Sequence, residues 1–119
     1  MGTELNQWVD VCGIDDLVAH SGVCALVEET QVALFYMPED SSIFAINNYD
    51  PFSLINILSR GLIGDVQGEP MVASPIYKQR FNLKTGQCFD DESVQVDTYA
   101  VRIEDNRVEV NLHLTQKEA

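Results

Sequence analysis

Residues Ala45 to Phe81 read AINNYDPFSLINILSRGLIGDVQGEPMVASPIYKQRF. The apolar run from Ser42 to Asn47 leads in as a strand. Asp50 to Gly61 then reads as one short helix. Asp50 or Ser53 suits its cap, Pro51 its first position and Gly61 the position just past its end. Phe52, Ile55, Leu58 and Leu62 recur at helical spacing on one face. A lone helix of this length is marginal in water, so it has to pack on a sheet. Gly64, Gly68 and Pro70 mark an irregular loop after it. Met71 to Ser74 and Gln79 to Leu83 are short strands flanking Ser74-Pro75-Ile76-Tyr77.

The chain around this stretch is β throughout. Trp8 to Cys12 reads as a first strand, followed by a turn at Ile14-Asp15-Asp16-Leu17. Val23 to Val27 and Gln31 to Met37 form a hairpin across Glu28-Glu29-Thr30, and Pro38-Glu39-Asp40-Ser41 breaks the chain before the next strand. Thr98 to Glu104 and Arg107 to Leu112 alternate on either side of Asp105-Asn106, a pair that tolerates a tight two-residue turn. The fold class expected is therefore all-β with one helical insertion, in a single domain over 1–119 with its ordered core at about 6–114. Residues 116–119 are expected to fray.

Composition narrows the function classes. Nineteen acids against seven bases give a net charge of −12, which opposes contact with nucleic acid or anionic lipid. That charge reads either as a solvated surface or as a face that steers the chain onto a basic partner. No apolar run reaches the roughly 18 residues of a membrane span, and MGTELNQW lacks the pattern of a signal peptide. Three cysteines, Cys12, Cys24 and Cys88, with no C-x-x-C pair fit a reducing cytoplasm and not a disulfide framework. Cys12 and Cys24 lie in apolar runs and read as small core residues; Cys88 reads as more exposed.

The stretch quoted above resembles a Rieske domain from which the ligands have gone. Such a domain carries two ligand loops, C-x-H and C-x-x-H, which supply two thiolates to one iron and two imidazoles to the other. The first loop aligns as Asn48-Tyr49-Asp50 and the second as Ser74-Pro75-Ile76-Tyr77, with the Phe81-x-Leu83-x-Thr85-Gly86 tail beyond. Asn48, Asp50, Ser74 and Tyr77 cannot provide that ligand set, so no metal is expected in this chain. Within this class, Trp8 to Val110 is similar to the small subunit of assimilatory-type NAD(P)H-dependent nitrite reductase. The motifs are W-V-D-V-C at the start, N-x-D-P-F at Asn48 to Phe52, L-S-R-G-L-I-G-D at Leu58 to Asp65, and G-E-P-x-V-A-S-P-x-Y-K-Q at Gly68 to Gln79. The resemblance implies a Rieske-like antiparallel β-sandwich with one short helix between the former ligand loops. It also implies a partner: a large catalytic subunit with FAD, a [4Fe–4S] cluster and sirohaem, reducing nitrite to ammonium. This chain has no G-x-G-x-x-G and no four-cysteine set, and no catalytic residue of its own is expected. An electron-transfer ferredoxin and a free-standing protein-binding module are the alternatives.

The individual candidates weigh mostly towards structure. Asp50, before Pro51, reads as a cap more readily than as a residual ligand. Tyr77 reads as filling the lost cluster's place, its hydroxyl bonding Asn48 or Asp50. Ser74 has no neighbouring base to activate it. His20 and His113 fall in separate regions and do not suggest a shared metal. Tyr77, Lys78, Gln79 and Arg80 make a local basic segment beside the second loop and are the candidate partner contacts.

Overall fold

The computed structural model describes residues 7–115. Eleven strands are present: β1 (Val9–Gly13), β2 (Gly22–Val27), β3 (Thr30–Met37), β4 (Ser42–Asn47), β5 (Tyr49–Asp50), β6 (Ile55–Asn56), β7 (Leu62–Val66), β8 (Glu69–Ala73), β9 (Arg80–Asn82), β10 (Thr98–Glu104) and β11 (Arg107–Asn111). They form a six-stranded antiparallel sheet in the order β1-β11-β10-β4-β3-β2, a three-stranded sheet β7-β8-β9, and the small β5-β6 ladder. The expected fraying at 116–119 and the N-terminal segment before Gln7 lie outside the described residues.

Side-chain alternation divides the interior into two cores. On β3, Val32 and Leu34 face one core while Ala33 and Phe35 face the other. β4 does the same with Ile43 and Ala45 against Phe44 and Ile46. Successive strand residues point to opposite faces, so β3 and β4 are buried on both sides and read as continuous apolar runs. One core also holds Leu58, Val72, Phe81, Leu83 and Cys88, which places the three-stranded sheet on that face. The other holds Val27, Tyr99, Val108 and Val110 from the remaining strands of the large sheet. Both expected hairpins form: Asp105 and Asn106 take the left-handed conformation their side chains tolerate, at φ 52 and 64, and Glu28 and Glu29 are left-handed as well, at φ 49 and 73.

Residues 50–61 are not a helix. β5 runs to Asp50, turns, and pairs back as β6, with Asp50 opposite Ile55. The turn closes through Leu54 N donating to Asp50 O at 2.7 Å, with Leu54 itself left-handed at φ 65. Asn48 explains why no helix propagates. Its carbonyl takes Ile57 N at 2.8 Å and Leu58 N at 3.0 Å, and its side-chain Oδ1 takes Ser59 N at 2.7 Å. Those three donors would be needed for the i−4 bonds of a helix. Leu58 enters the core on a short 3-10 turn, Leu58–Arg60, whereas Ile55 and Leu62 of the expected apolar face are exposed.

Two further expectations are corrected. The stretch from Gly64 to Pro70 is not an irregular loop: β7 and β8 pair as a hairpin that takes in the strand expected from Met71, with Gln67 and Gly68 at φ 51 and 89 in its turn. Asp65 Oδ2 accepts Gly68 N at 2.8 Å and fixes that turn. The cysteines are placed the other way round: Cys88 is buried in a core, Cys24 is exposed on edge strand β2, and Cys12 is half-buried. Cys88 pairs by an isolated bridge with Phe81, which carries it inward behind β9.

Candidate functional site

The two loops meet through the side chains of Asp50 and Ser74. Asp50 is fully buried, and its Oδ2 accepts Ser74 Oγ at 2.6 Å and Ser53 Oγ at 2.9 Å. Its Oδ1 accepts Phe52 N at 2.9 Å. Asp50 is thus a cap, but of a tight turn and not of a helix. Ser74 is fully buried, and its own hydroxyl oxygen accepts Ile76 N at 3.3 Å. The second loop is closed by Ser74 N to Gln79 O at 2.9 Å and Lys78 N to Ser74 O at 3.0 Å.

The other two positions set against ligands do not join them. Asn48 is buried, and its amide donates to Gln31 Oε1 at 3.1 Å and Cys24 Sγ at 3.5 Å, so it belongs to the β2-β3 side of the molecule. Tyr77 is 61% exposed, and the partners of Asn48 and Asp50 are other groups, so Ser74 and not Tyr77 closes the gap between the loops. This geometry revises the alignment. In a metal-bearing pair of loops the two cysteine positions share one iron and must face each other. The residues that face each other here are Asp50 and Ser74. The first loop is then Asp50-Pro51-Phe52, two residues later than Asn48-Tyr49-Asp50, and a proline follows the first position in both loops. Phe52 replaces an imidazole position and packs on Phe81, ring centroids 6.2 Å apart. The repeated D-P and S-P dipeptides were the available signal for this register.

The residues do not fit a [2Fe–2S] cluster. Two side-chain oxygens, a phenyl ring and an outward tyrosine replace two thiolates and two imidazoles. The direct hydrogen bond between Asp50 and Ser74 occupies the space an iron would need between them. Among the described residues, no group of three or more His, Cys, Asp or Glu side chains is placed to hold a metal ion. Ser74 donates its hydroxyl to the Asp50 carboxyl, and that bond ties the two loops together. His20 pairs with Glu39, and His113 lies just past β11. Burial pushes the Cys12 thiol up, with the Asp16 carboxylate adding to it, and burial likewise raises Cys24, which disfavours a thiolate at either.

The basic segment beside the second loop is less free than the sequence suggests. The side-chain hydrogen bonds between Arg80 and Asp90, Nη2 to Oδ1 at 2.8 Å and Nε to Oδ2 at 3.3 Å, hold the Asp90 carboxyl below its usual range. The Arg80 backbone N–H adds to this at 2.8 Å. Lys78 is left-handed at φ 68 and donates to Pro75 O at 3.3 Å, leaving its charge exposed. Gln79 turns its Oε1 inward, where no donor meets it.

A family model described as the Rieske-like [2Fe-2S] domain matches residues 7–111. The "Nitrite reductase (NADH) small subunit" of Escherichia coli K12 is 47% identical over 106 residues, which cover 89% of this chain and 98% of that one. The chain belongs to the nitrite reductase small-subunit family. The crystal structure of a family member from Mycobacterium tuberculosis, described as an NADH-dependent nitrite reductase small subunit, superposes with a TM-score of 0.82 at 43% identity. That match covers 87% of this chain and 92% of the other. Another relative is not a small subunit. The "Nitrite reductase [NAD(P)H] large subunit" of Klebsiella oxytoca contains a stretch 39% identical over 101 residues, 85% of this chain but 10% of that protein. The all-β Rieske-like fold expected from the resemblance is the fold of this family, with the helix between the loops replaced by the β5-β6 turn.

Proposed function

We propose that this chain is the non-catalytic small subunit of a cytoplasmic NAD(P)H nitrite reductase, a single Rieske-like domain that supports reduction of nitrite to ammonium by a large subunit. The observation that carries this reading is the Klebsiella oxytoca large subunit, in which a stretch like this chain is part of the same polypeptide. A domain found both as a separate subunit and within the large chain works beside it. The large subunit would supply FAD, the [4Fe–4S] cluster and sirohaem. This chain contributes a rigid tip at which Asp50 and Ser74 replace the metal as the tie between the loops. Tyr77, Lys78, Gln79 and Arg80 form part of the surface offered to the large subunit. The electron-transfer alternative is disfavoured because the donor set does not suit a cluster. Among the described residues no helix is long and apolar enough to cross a membrane, and the acid-rich surface disfavours nucleic acid.

Co-expression with the large subunit tests the proposal. Tagged small subunit should retain the large subunit through purification, and nitrite-dependent NADH oxidation should require both chains. A large subunit that is not retained, or that reaches full activity alone, would refute it.

A further inference from the structure

Nine large apolar side chains are exposed among the described residues, and six of them fall in or beside the two loops: Tyr49, Leu54, Ile55, Leu62, Ile76 and Tyr77. Leu54 and Ile55 lie in the first loop, Ile76 and Tyr77 in the second, and the Ser74–Asp50 bond pins the two loops together. Leu62 lies opposite Ala73, the residue before Ser74. Single exposed apolar residues need no explanation, but a cluster of this kind marks a contact surface. Backbone conformation singles out one of them. Leu54 is left-handed at φ 65 and 66% exposed. Glycine or asparagine would serve that turn with less strain, so a leucine there is held for its side chain. Charge segregates in the same place. Residues 51–62 and 74–80 contain none of the chain's 19 acids and three of its seven bases, Arg60, Lys78 and Arg80. Asp90, which flanks the second loop, is neutralised by Arg80.

We propose that this tip is the docking surface for the large subunit, with Leu54 as its central apolar anchor and Arg60 and Lys78 as its rim. The surface it fits is an apolar recess bordered by carboxylates. Such a partner surface would be repelled by the acidic remainder of the chain and attracted here, which fixes orientation as well as contact. The inference rests on the small-subunit reading and adds the site, the anchor and the partner's chemistry. It also moves the weight of the contact from Gln79 and Arg80, which are turned inward or paired, to the first loop.

Leu54→Gly separates anchoring from folding, because it removes the side chain while relieving the left-handed backbone. The melting temperature should stay within about 2 °C of wild type or rise. Affinity for the purified holo large subunit, measured by calorimetry or biolayer interferometry, should fall about tenfold. Arg60→Glu with Lys78→Glu should slow association and reduce its sensitivity to salt. Wild-type binding of the large subunit that Leu54→Gly leaves unchanged would overturn the inference while the small-subunit reading stands. Failure of the wild type to bind the large subunit would overturn both. A wild-type dimer in sedimentation that Leu54→Gly converts to monomer would assign the patch to a second copy, and would overturn the inference too.

Discussion

Ser74→Ala tests whether the Asp50–Ser74 bond holds the tip together. Asp50 is fully buried, and its Oδ2 has two hydroxyl donors, Ser74 at 2.6 Å and Ser53 at 2.9 Å. A hydrogen bond to a charged group contributes about 1.5–3 kcal/mol net. The substitution leaves Oδ2 with Ser53 and Oδ1 with Phe52 N, so the carboxylate is not orphaned. The loss then sits near the lower end, about 1.5–2 kcal/mol. With a urea slope of roughly 1.5–2 kcal/mol/M for a domain of this size, the unfolding midpoint should fall by about 1 M. Asp50→Ala removes the acceptor of three donors at once and should lose about 3 kcal/mol. Because Asp50→Ala already breaks the Ser74 bond, the double variant should lose little more, and the cycle should show a coupling above about 1 kcal/mol. Urea unfolding by fluorescence and circular dichroism gives all four corners, provided the slope is unchanged. A Ser74→Ala midpoint within about 0.3 M of wild type, or strictly additive losses, would refute the claim that this bond replaces the metal as the tie.

The remaining predictions concern two glycine turns and the Arg80–Asp90 pair. Gly86 is at φ 81, and a Cβ there would meet Val96 O at 2.0 Å, so Gly86→Ala should lose more than about 3 kcal/mol or fail to fold. Gly68, at φ 89 with nothing within 4 Å of the point a Cβ would occupy, is its control: Gly68→Ala should lose only about 1 kcal/mol, and equal losses in denaturant unfolding would remove the steric argument. The Asp90 carboxyl is held below its usual range by the Arg80 side chain and then by the Arg80 N–H. Its contribution is therefore present above the unfolded carboxylate value of about 4 and is lost as pH falls through the folded one. Thermal melts of wild type and Asp90→Asn should differ at pH 6 and converge towards pH 3, and a difference constant across that range would contradict the pairing.

Local chemistry governs the parts of this protein that can be read directly from the chain. β3 and β4 are legible because residues buried on both faces leave continuous apolar runs, the Asp105-Asn106 turn because its backbone needs residues that tolerate positive φ, and the Glu28-Glu29 turn because it interrupts two apolar runs. Asp50 is likewise visible as a cap, since the carboxylate of an Asp-Pro pair lies within reach of the N–H groups just downstream of the proline. Tertiary structure decided the rest. The pattern Phe52, Ile55, Leu58, Leu62 has helical spacing, yet Asn48 captures the three N–H groups that a helix would use, and no local period reports that competition. Asp50 and Ser74 are 24 residues apart, and only the packing of the three-stranded sheet on the large one brings them to 2.6 Å. The same packing leaves Leu54, Leu62 and Tyr77 outside and draws Cys88 in, because burial is settled by which face of a sheet finds a second layer, and a sequence records the alternation of faces but not which of them will be covered.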